Sequence, residues 1–224
     1  MLLSTTATRS PTRSLLTKRT PNLHFSSSTS DSSAASIATS FLTRFRSLGP
    51  QIRSQTLDAN QLRLLSLTLN RPSLFPNSPT LSSTTTTADP DIPSGTPLPP
   101  GYHLVYFTPA FLETDLGADG TDASYNPSHP FTRRMWAGGE VHWPRDGQGR
   151  VNPLRVGERV TETTRVLSAE AKVVKKTGEE MVVVGVQKEF ANGDGVAVVD
   201  RRYGWTPYRV CWIREFDVDV DCAD

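Results

Sequence analysis

The alternation of apolar and polar positions predicts strands over the second half of the chain. Residues 158–167 (ERVTETTRVL) and 171–176 (AKVVKK) predict one long, bent strand, because β-branched side chains alternate there with charged or hydroxyl side chains. Residues 181–190 (MVVVGVQKEF) and 196–202 (VAVVDRR) predict two more strands. The intervening TGEE and ANGDG segments are typical of hairpin turns, since Gly and Asn tolerate positive φ. The pattern therefore predicts an antiparallel meander.

Two further strands are predicted ahead of the meander. Residues 102–107 (YHLVYF) are β-branched and aromatic, and Val141 and Trp143 alternate around His142 as in a half-buried strand. A glycine-rich crossover joins the two. A region of about 100 residues can form one modest core, helped by a partner surface.

The pattern differs between residues 36 and 100. Residues 55–69 (QTLDANQLRLLSLTL) predict an amphipathic helix with Thr56 as its N-cap, Asp58 in its first turn and three leucines on one face. Residues 70–100 hold eight of the seventeen prolines and the run SSTTTT. Such a segment buries little apolar surface, so it predicts a linker or a surface strap.

Charge and composition exclude several classes of partner. Lys and Arg number 24 against 23 Asp and Glu, which leaves no electrostatic footprint for nucleic acid. No apolar run approaches the roughly 18 residues of a membrane span. The two cysteines lie near the end of the chain, and the four histidines lack the spacing of a metal site. We therefore expect no nucleic acid, no transmembrane segment and no metal.

The first thirty residues have a composition of their own. They contain no Asp or Glu, fourteen of them are Ser or Thr, and the basic residues are Arg9, Arg13, Lys18 and Arg19. Organellar transit peptides are basic and hydroxyl-rich in this way, and a disordered tail is the alternative. We expect residues 1–35 to be a mitochondrial transit peptide that directs the protein to the matrix.

Residues 131–143 (FTRRMWAGGEVHW) concentrate the candidate chemistry. A structural interpretation makes the glycine pair a bulge or a close backbone contact, with the two tryptophans filling the core. A functional interpretation lets a ligand approach the glycines while the two arginines meet phosphates. The residues alone leave both open, with the structural one favoured. The candidate binding residues are Arg133, Arg134, Trp136, Gly138 and Gly139.

Two stretches carry a family resemblance. The stretches are LPPGYHLVYFTPAFLETDLGADGTDASYNPSHPFTRRMWAGGEVHW and GEEMVVVGVQKEF, and RMWAGG followed by Glu is a specific mark within the first. They resemble the N-terminal half of the fungal mitochondrial double-hotdog dehydratases. These are the hydroxyacyl-thioester dehydratase type 2 and mesaconyl-C4-CoA hydratase-like proteins, relatives of the MaoC hydratases. The resemblance covers roughly residues 50–202. It implies an α+β hotdog fold, an antiparallel sheet around a helix that is here reduced to the DLGADGTDASYNP crossover.

The resemblance also implies a chemistry. Its substrates are acyl thioesters of acyl carrier protein or coenzyme A, no cofactor takes part, and a 3-hydroxyacyl thioester reversibly loses water. An Asp/His pair handles the protons, and a backbone amide stabilises the thioester oxygen. In two-hotdog relatives that pair lies in the C-terminal repeat on a D-x-N-P-x-H pattern, while the N-terminal repeat shapes the acyl tunnel. Here residues 124–129 (SYNPSH) keep the Asn, Pro and His, but Ser124 replaces the acid. His129 and Asp122 are the catalytic candidates.

Two functions follow from the resemblance and the departures. The first is the substrate-shaping half of a mitochondrial hydro-lyase of fatty-acid or acyl-CoA metabolism, without its catalytic second repeat and inactive alone. The alternative is a non-catalytic hotdog module that binds acyl thioesters or pairs with a complete hydratase. A homo-oligomer or a second hotdog repeat would be its partner, and an unrelated β-barrel is a third interpretation. The expected organisation is a transit peptide (1–35), a helix and linker (36–100), a hotdog domain (101–202) and a non-family tail (203–224).

Overall fold

The computed structural model describes residues 33–82, 92–117 and 120–207. Nearly all of the predicted transit peptide and most of the predicted tail lie outside the described residues. The main elements are α1 (Ala34–Leu48), β1 (Gln51–Thr56), α2 (Ala59–Thr68), β2 (Met135–His142), β3 (Arg159–Val173), β4 (Glu180–Asn192) and β5 (Gly195–Pro207).

The described residues form one antiparallel sheet of five strands in the order β1-β3-β4-β5-β2. The predicted β3-β4-β5 meander is confirmed, and a register shift between Val166 and Ser168 interrupts the long β3 strand that was predicted to bend. β5 continues to Pro207, past the predicted end at Arg202. The sheet is antiparallel, the helices lie on one of its faces, and α2 lies in the crossover from β1 to β2. This arrangement confirms the α+β hotdog fold.

The first predicted strand is wrong. Residues 102–107 do not enter the sheet; Tyr102–Val105 form a short 3-10 helix that follows Gly101 at φ 86°. Most of their apolar side chains are buried in irregular structure that packs over the sheet, not in a strand. The first strand is instead Gln51–Thr56, a polar edge strand paired with β3. Its sequence, QIRSQT, has no apolar alternation that could have revealed it.

One of the two helices was predicted with different bounds, and the other was not predicted. The helix expected over 55–69 is confirmed as α2, but Thr56 belongs to β1, and the carboxylate of Asp58 caps the helix by accepting from the Gln61 N–H at 2.8 Å. The helical part of the crossover is α2, whereas the described part of the DLGADGTDASYNP segment contains no α-helix. The unpredicted α1 is capped by Ser33 and buries one apolar face: Ala34, Ile37, Ala38, Phe41 and Phe45.

Two apolar clusters cover the same face of the sheet toward opposite ends of its strands. In β4, the alternating residues Val182, Val184 and Val186 pack in one cluster with α1, while Phe190 belongs to the other cluster, which contains Leu62 of α2. The strap predicted over 70–100 joins the second cluster through three buried side chains, Leu74, Leu81 and Ile92. A cleft remains between the two clusters, and it contains the candidate site.

Candidate functional site

The cleft has a volume of about 880 Å³ and lies on the inner face of the sheet. Its floor consists of side chains from β1, β3, β4 and β5, and its wall is formed by residues of the crossover. The lining includes Arg53, Glu162, Lys188 and Arg202 on the floor, and His103, Phe107, Asp122, Arg134 and Trp136 around it.

A row of alternating charges crosses the floor. Arg53 faces Glu162 in register, and Lys188 faces Asp200 on the next pair of strands. The Glu162 side chain is 2% exposed; Oε1 accepts from the Arg53 Nη2 at 2.6 Å, and Oε2 accepts from the Lys188 Nζ at 3.1 Å. The Arg202 guanidinium donates to Asp200 from Nε at 2.8 Å and also from Nη2. Buried charges are therefore paired, as their desolvation requires.

The pKa values follow from burial and pairing. Burial acts to raise the pKa of Glu162, but the hydrogen bond from Arg53 and the charge of Lys188 outweigh it, so the pKa is lowered. Burial lowers the pKa of Lys188, against the opposing effect of Glu162, and the charges of Arg202 and Arg53 lower it further.

The floor carries an excess of positive charge. Three cations (Arg53, Lys188, Arg202) face two carboxylates (Glu162, Asp200), and an ammonium offers three donors, only one of which meets Glu162. The floor is therefore suited to a ligand with hydrogen-bond acceptors or negative charge.

His103 was not singled out from the sequence, where it lies inside an apparent strand. Its side chain is 3% exposed, and Nε2 has no partner among the described residues. Burial lowers the pKa to about 4, with Asp200 opposing and Arg202 adding to the shift. The imidazole is therefore neutral near pH 7 and is a weak base for proton transfer there. Its ring centroid lies 5.0 Å from that of Phe190 and 6.4 Å from that of Trp143, and both ring pairs meet edge-on.

Two of the predicted site residues meet at the cleft. The Arg134 Nη2 lies 3.4 Å from the Asp122 Oδ2, and the Asp122 Oδ1 accepts from the Ser124 N–H at 2.7 Å. Partial burial acts to raise the pKa of Asp122, but the hydrogen bonds from Ser124 and the charge of Arg134 lower it. Asp122 is therefore an ionised, paired carboxylate at neutral pH.

His129 and Arg133 lie outside the cleft lining. His129 is exposed in the turn before Phe131, so the cleft does not bring it together with Asp122. Arg133 is half-buried in the segment leading into β2, directly before Arg134.

The glycine pair has a structural role in β2. A register shift separates Trp136 from Gly138, whose φ is 138°, and a Cβ on Gly139 would lie 2.6 Å from the Arg201 carbonyl oxygen. This agrees with the interpretation as a bulge and close contact. Trp136 does not fill the core, because it is 66% exposed at the cleft, and its packing into a seam between two repeats stays a prediction. Trp143 is half-buried against the cluster that contains α2.

No group of three or more His, Cys, Asp or Glu side chains in the described ranges is arranged to hold a metal ion. Within the same ranges, none of the helices has the length and hydropathy needed to cross a membrane.

The fold and cleft define the class of protein: a hotdog protein with a charged cleft over its sheet. Residues 101–206 match the family model described as hydroxyacyl-thioester dehydratase type 2, a range that contains β2, β3, β4 and nearly all of β5. The match supports the family resemblance over that range. No curated protein is significantly similar to the chain.

Several solved structures resemble this fold at low sequence identity. The ChsH1-ChsH2 complex from Mycobacterium tuberculosis is 12% identical with a TM-score of 0.47, covering 75% of this chain and 89% of that chain. The MaoC-like dehydratase from Rhodospirillum rubrum is 18% identical with a TM-score of 0.36, covering 73% and 93%. The (R)-hydratase from A. caviae is 12% identical with a TM-score of 0.39, covering 70% and 92%. At these distances the fold is assigned from the strand order itself.

Proposed function

We propose that this chain is the N-terminal, substrate-shaping hotdog of a 3-hydroxyacyl-thioester dehydratase, and that its cleft binds the acyl thioester. The family-model match supports the reaction class. The observation that carries the binding role is the cleft of about 880 Å³ with a positively charged floor. A 3-hydroxyacyl thioester presents a hydroxyl and a carbonyl oxygen, both of which accept hydrogen bonds from groups such as the Lys188 ammonium.

We infer that the groups for proton transfer come from outside this cleft. Asp122 is paired with Arg134, His103 is a neutral and weakly basic imidazole, and His129 does not line the cleft. The acid–base pair of the reaction would come from a second hotdog repeat. The alternative is a non-catalytic module that accompanies a complete hydratase. In that case, adding a second repeat to this chain would restore no turnover.

Binding is tested with two neighbouring arginines. Arg134 lines the cleft and holds Asp122, whereas Arg133 does not line it. We expect 3-hydroxybutyryl-CoA to bind the full chain in calorimetry, and Arg134→Gln to weaken that binding at least tenfold, while Arg133→Gln, with the same change of charge, leaves it within twofold. If both substitutions weakened binding equally, the effect would reflect the overall charge of the chain and not contacts in the cleft. That result would contradict the proposal.

We further propose that β2 pairs with a second hotdog, which is either a second repeat or another copy of the chain. This strand is an edge of the sheet, and no described strand pairs with its outer side. Unpaired edges of this kind are templates for pairing with another strand. Analytical ultracentrifugation of the full chain, with and without a separately produced second repeat, tests this; a monomer in both samples contradicts it.

We also propose import into the mitochondrial matrix, on the basis of the acid-free leader. A reporter fused to the first 35 or so residues should reach mitochondria, and replacing Arg9, Arg13, Lys18 and Arg19 by Gln should leave it in the cytosol. Unchanged import of the substituted leader would refute the proposal.

A further inference from the structure

A second cavity, of about 430 Å³, lies behind the wall of the cleft. Its lining is mostly apolar and comes from the strap, the end of β2 and the loop before β3; it includes Phe75, Pro99, Trp143, Leu154 and Val198. A cavity of this size and lining suits an apolar ligand group. Nothing in the proposed function uses it.

His103 belongs to the walls of both cavities. One edge of its ring contacts Phe190, which lines the cleft, and the ring also faces Trp143, which lines the second cavity. Phe107 packs against the same Phe190, with a 5.4 Å separation of ring centroids. The imidazole therefore stands between the cleft and the second cavity as part of a small aromatic cluster.

The imidazole is held in place without a hydrogen bond at one of its nitrogens. Nε2 is buried and has no partner among the described residues, so an apolar side chain at position 103 removes an unsatisfied polar atom. A smaller side chain at position 103 would leave open space between Phe190 and Trp143, where the two cavities adjoin.

We propose that His103 determines the acyl-chain length that the cleft accepts, by closing the passage to the second cavity. The proposal rests on the proposed function, since it concerns the acyl chain of the same thioester. The chain would enter along the apolar wall of the cleft and end at the His103 ring. A smaller side chain would join the two cavities and admit the distal methylenes of a longer chain.

The test compares two substitutions over a series of acyl-CoA probes from butyryl-CoA to dodecanoyl-CoA, bound to the full chain. His103→Val opens the passage, and His103→Phe keeps it closed by a ring without nitrogen. Each methylene moved from water into an apolar cavity tightens binding by about fourfold. We expect affinity to stop rising beyond a limiting length in the wild type and in His103→Phe. In His103→Val it should continue to rise, reaching at least a tenfold gain for dodecanoyl-CoA.

Trp143 reports where the end of the chain lies. In a protein whose other three tryptophans are replaced by Phe, 12-bromododecanoyl-CoA should quench Trp143 emission when His103 is Val and leave it unchanged when His103 is present. The measurement with His103 in place remains informative even if the valine variant fails to fold. Quenching of Trp143 in that protein would show that the passage is not closed.

The outcomes separate the two proposals. Binding of butyryl-CoA by all variants, with identical chain-length profiles, overturns the role of His103 and leaves the proposed function standing. A shift in His103→Phe as large as that in His103→Val also overturns it. Failure of every acyl-CoA to bind the folded wild-type chain overturns the proposed function and the chain-length role together.

Discussion

His103 couples the stability of the fold to pH. In the unfolded chain an imidazole takes up a proton below a pKa of about 6.5, whereas in the fold it does so only near 4. Between these values the unfolded chain binds more protons, so stability is complete above pH 6.5 and falls as the pH drops toward 4. The shift corresponds to about 3 kcal/mol.

The measurement is urea unfolding at pH 7 and at pH 4.5. We expect the wild type to lose most of that stability at the lower pH and His103→Phe to lose much less. The carboxylates with lowered pKa, Glu162 and Asp122, contribute mainly below their ordinary values of 4.5 and 3.8, outside most of this window. An equal loss in both proteins would contradict the burial of a neutral imidazole.

Glu162 joins two cations on the floor of the cleft. Glu162→Gln leaves Arg53 and Lys188 without their shared charge, and removing one member of a buried ion pair costs about 3–5 kcal/mol. Glu189→Gln is the matched control, because Glu189 pairs with Arg165 on the exposed part of the same strands and such pairs contribute about 0–1 kcal/mol. Denaturant midpoints measure both. Similar losses for the two variants would show that the row of charges adds no stability of its own.

At the scale of the element, β2 depends on a close approach that only glycine permits. Gly139→Ala would place a Cβ 2.6 Å from the Arg201 carbonyl oxygen and 2.8 Å from the Trp136 ring. Because the backbone of β5 cannot move freely, we expect a loss of about 1–3 kcal/mol. In Gly147→Ala, where nothing lies within 4 Å of the new Cβ, stability should change little. Thermal unfolding measures the pair; equal melting temperatures would contradict the tight packing.

The elements differ in how far the sequence could predict them. The β3-β4-β5 meander is encoded locally, since its alternation and its turn residues lie next to one another. β1 is polar and is defined only by pairing with β3, so nothing within QIRSQT identifies it. Residues 102–107 have strand-like composition but form a wall, because their burial comes from packing over the sheet rather than from pairing.

The site shows the same division. Asp122 and Arg134 could be found from the sequence because they lie close together along the chain and next to the family motif. The charged floor could not, since Arg53, Glu162, Lys188 and Arg202 come from four strands and share a face only once the register is known. His103 was hidden inside an apolar run that gave it no distinguishing neighbour.

At the scale of the whole molecule, the proposed function makes turnover depend on a second hotdog repeat. A placed general acid–base residue contributes about 10²–10⁴-fold, and here Ser124 replaces the acid and His129 faces solvent. We expect the full chain to show no measurable hydration of crotonyl-CoA, followed by the loss of enoyl-thioester absorbance, and to gain activity when a second repeat is added. Robust hydration by the chain alone, abolished by His129→Ala and spared by His142→Ala, would contradict this.

The pairing of β1 with β3 has a consequence for how the protein is made. Arg53 and Glu162 are 109 residues apart, so the first strand leaves the ribosome long before its partner exists. At about 5–20 residues per second this delay is on the order of 5–20 s. The β3-β4-β5 hairpins close within local sequence, whereas β1 must wait for them and then join by a slow, non-local step. During that interval the apolar face of α1, which packs against β4 in the fold, has no sheet to cover.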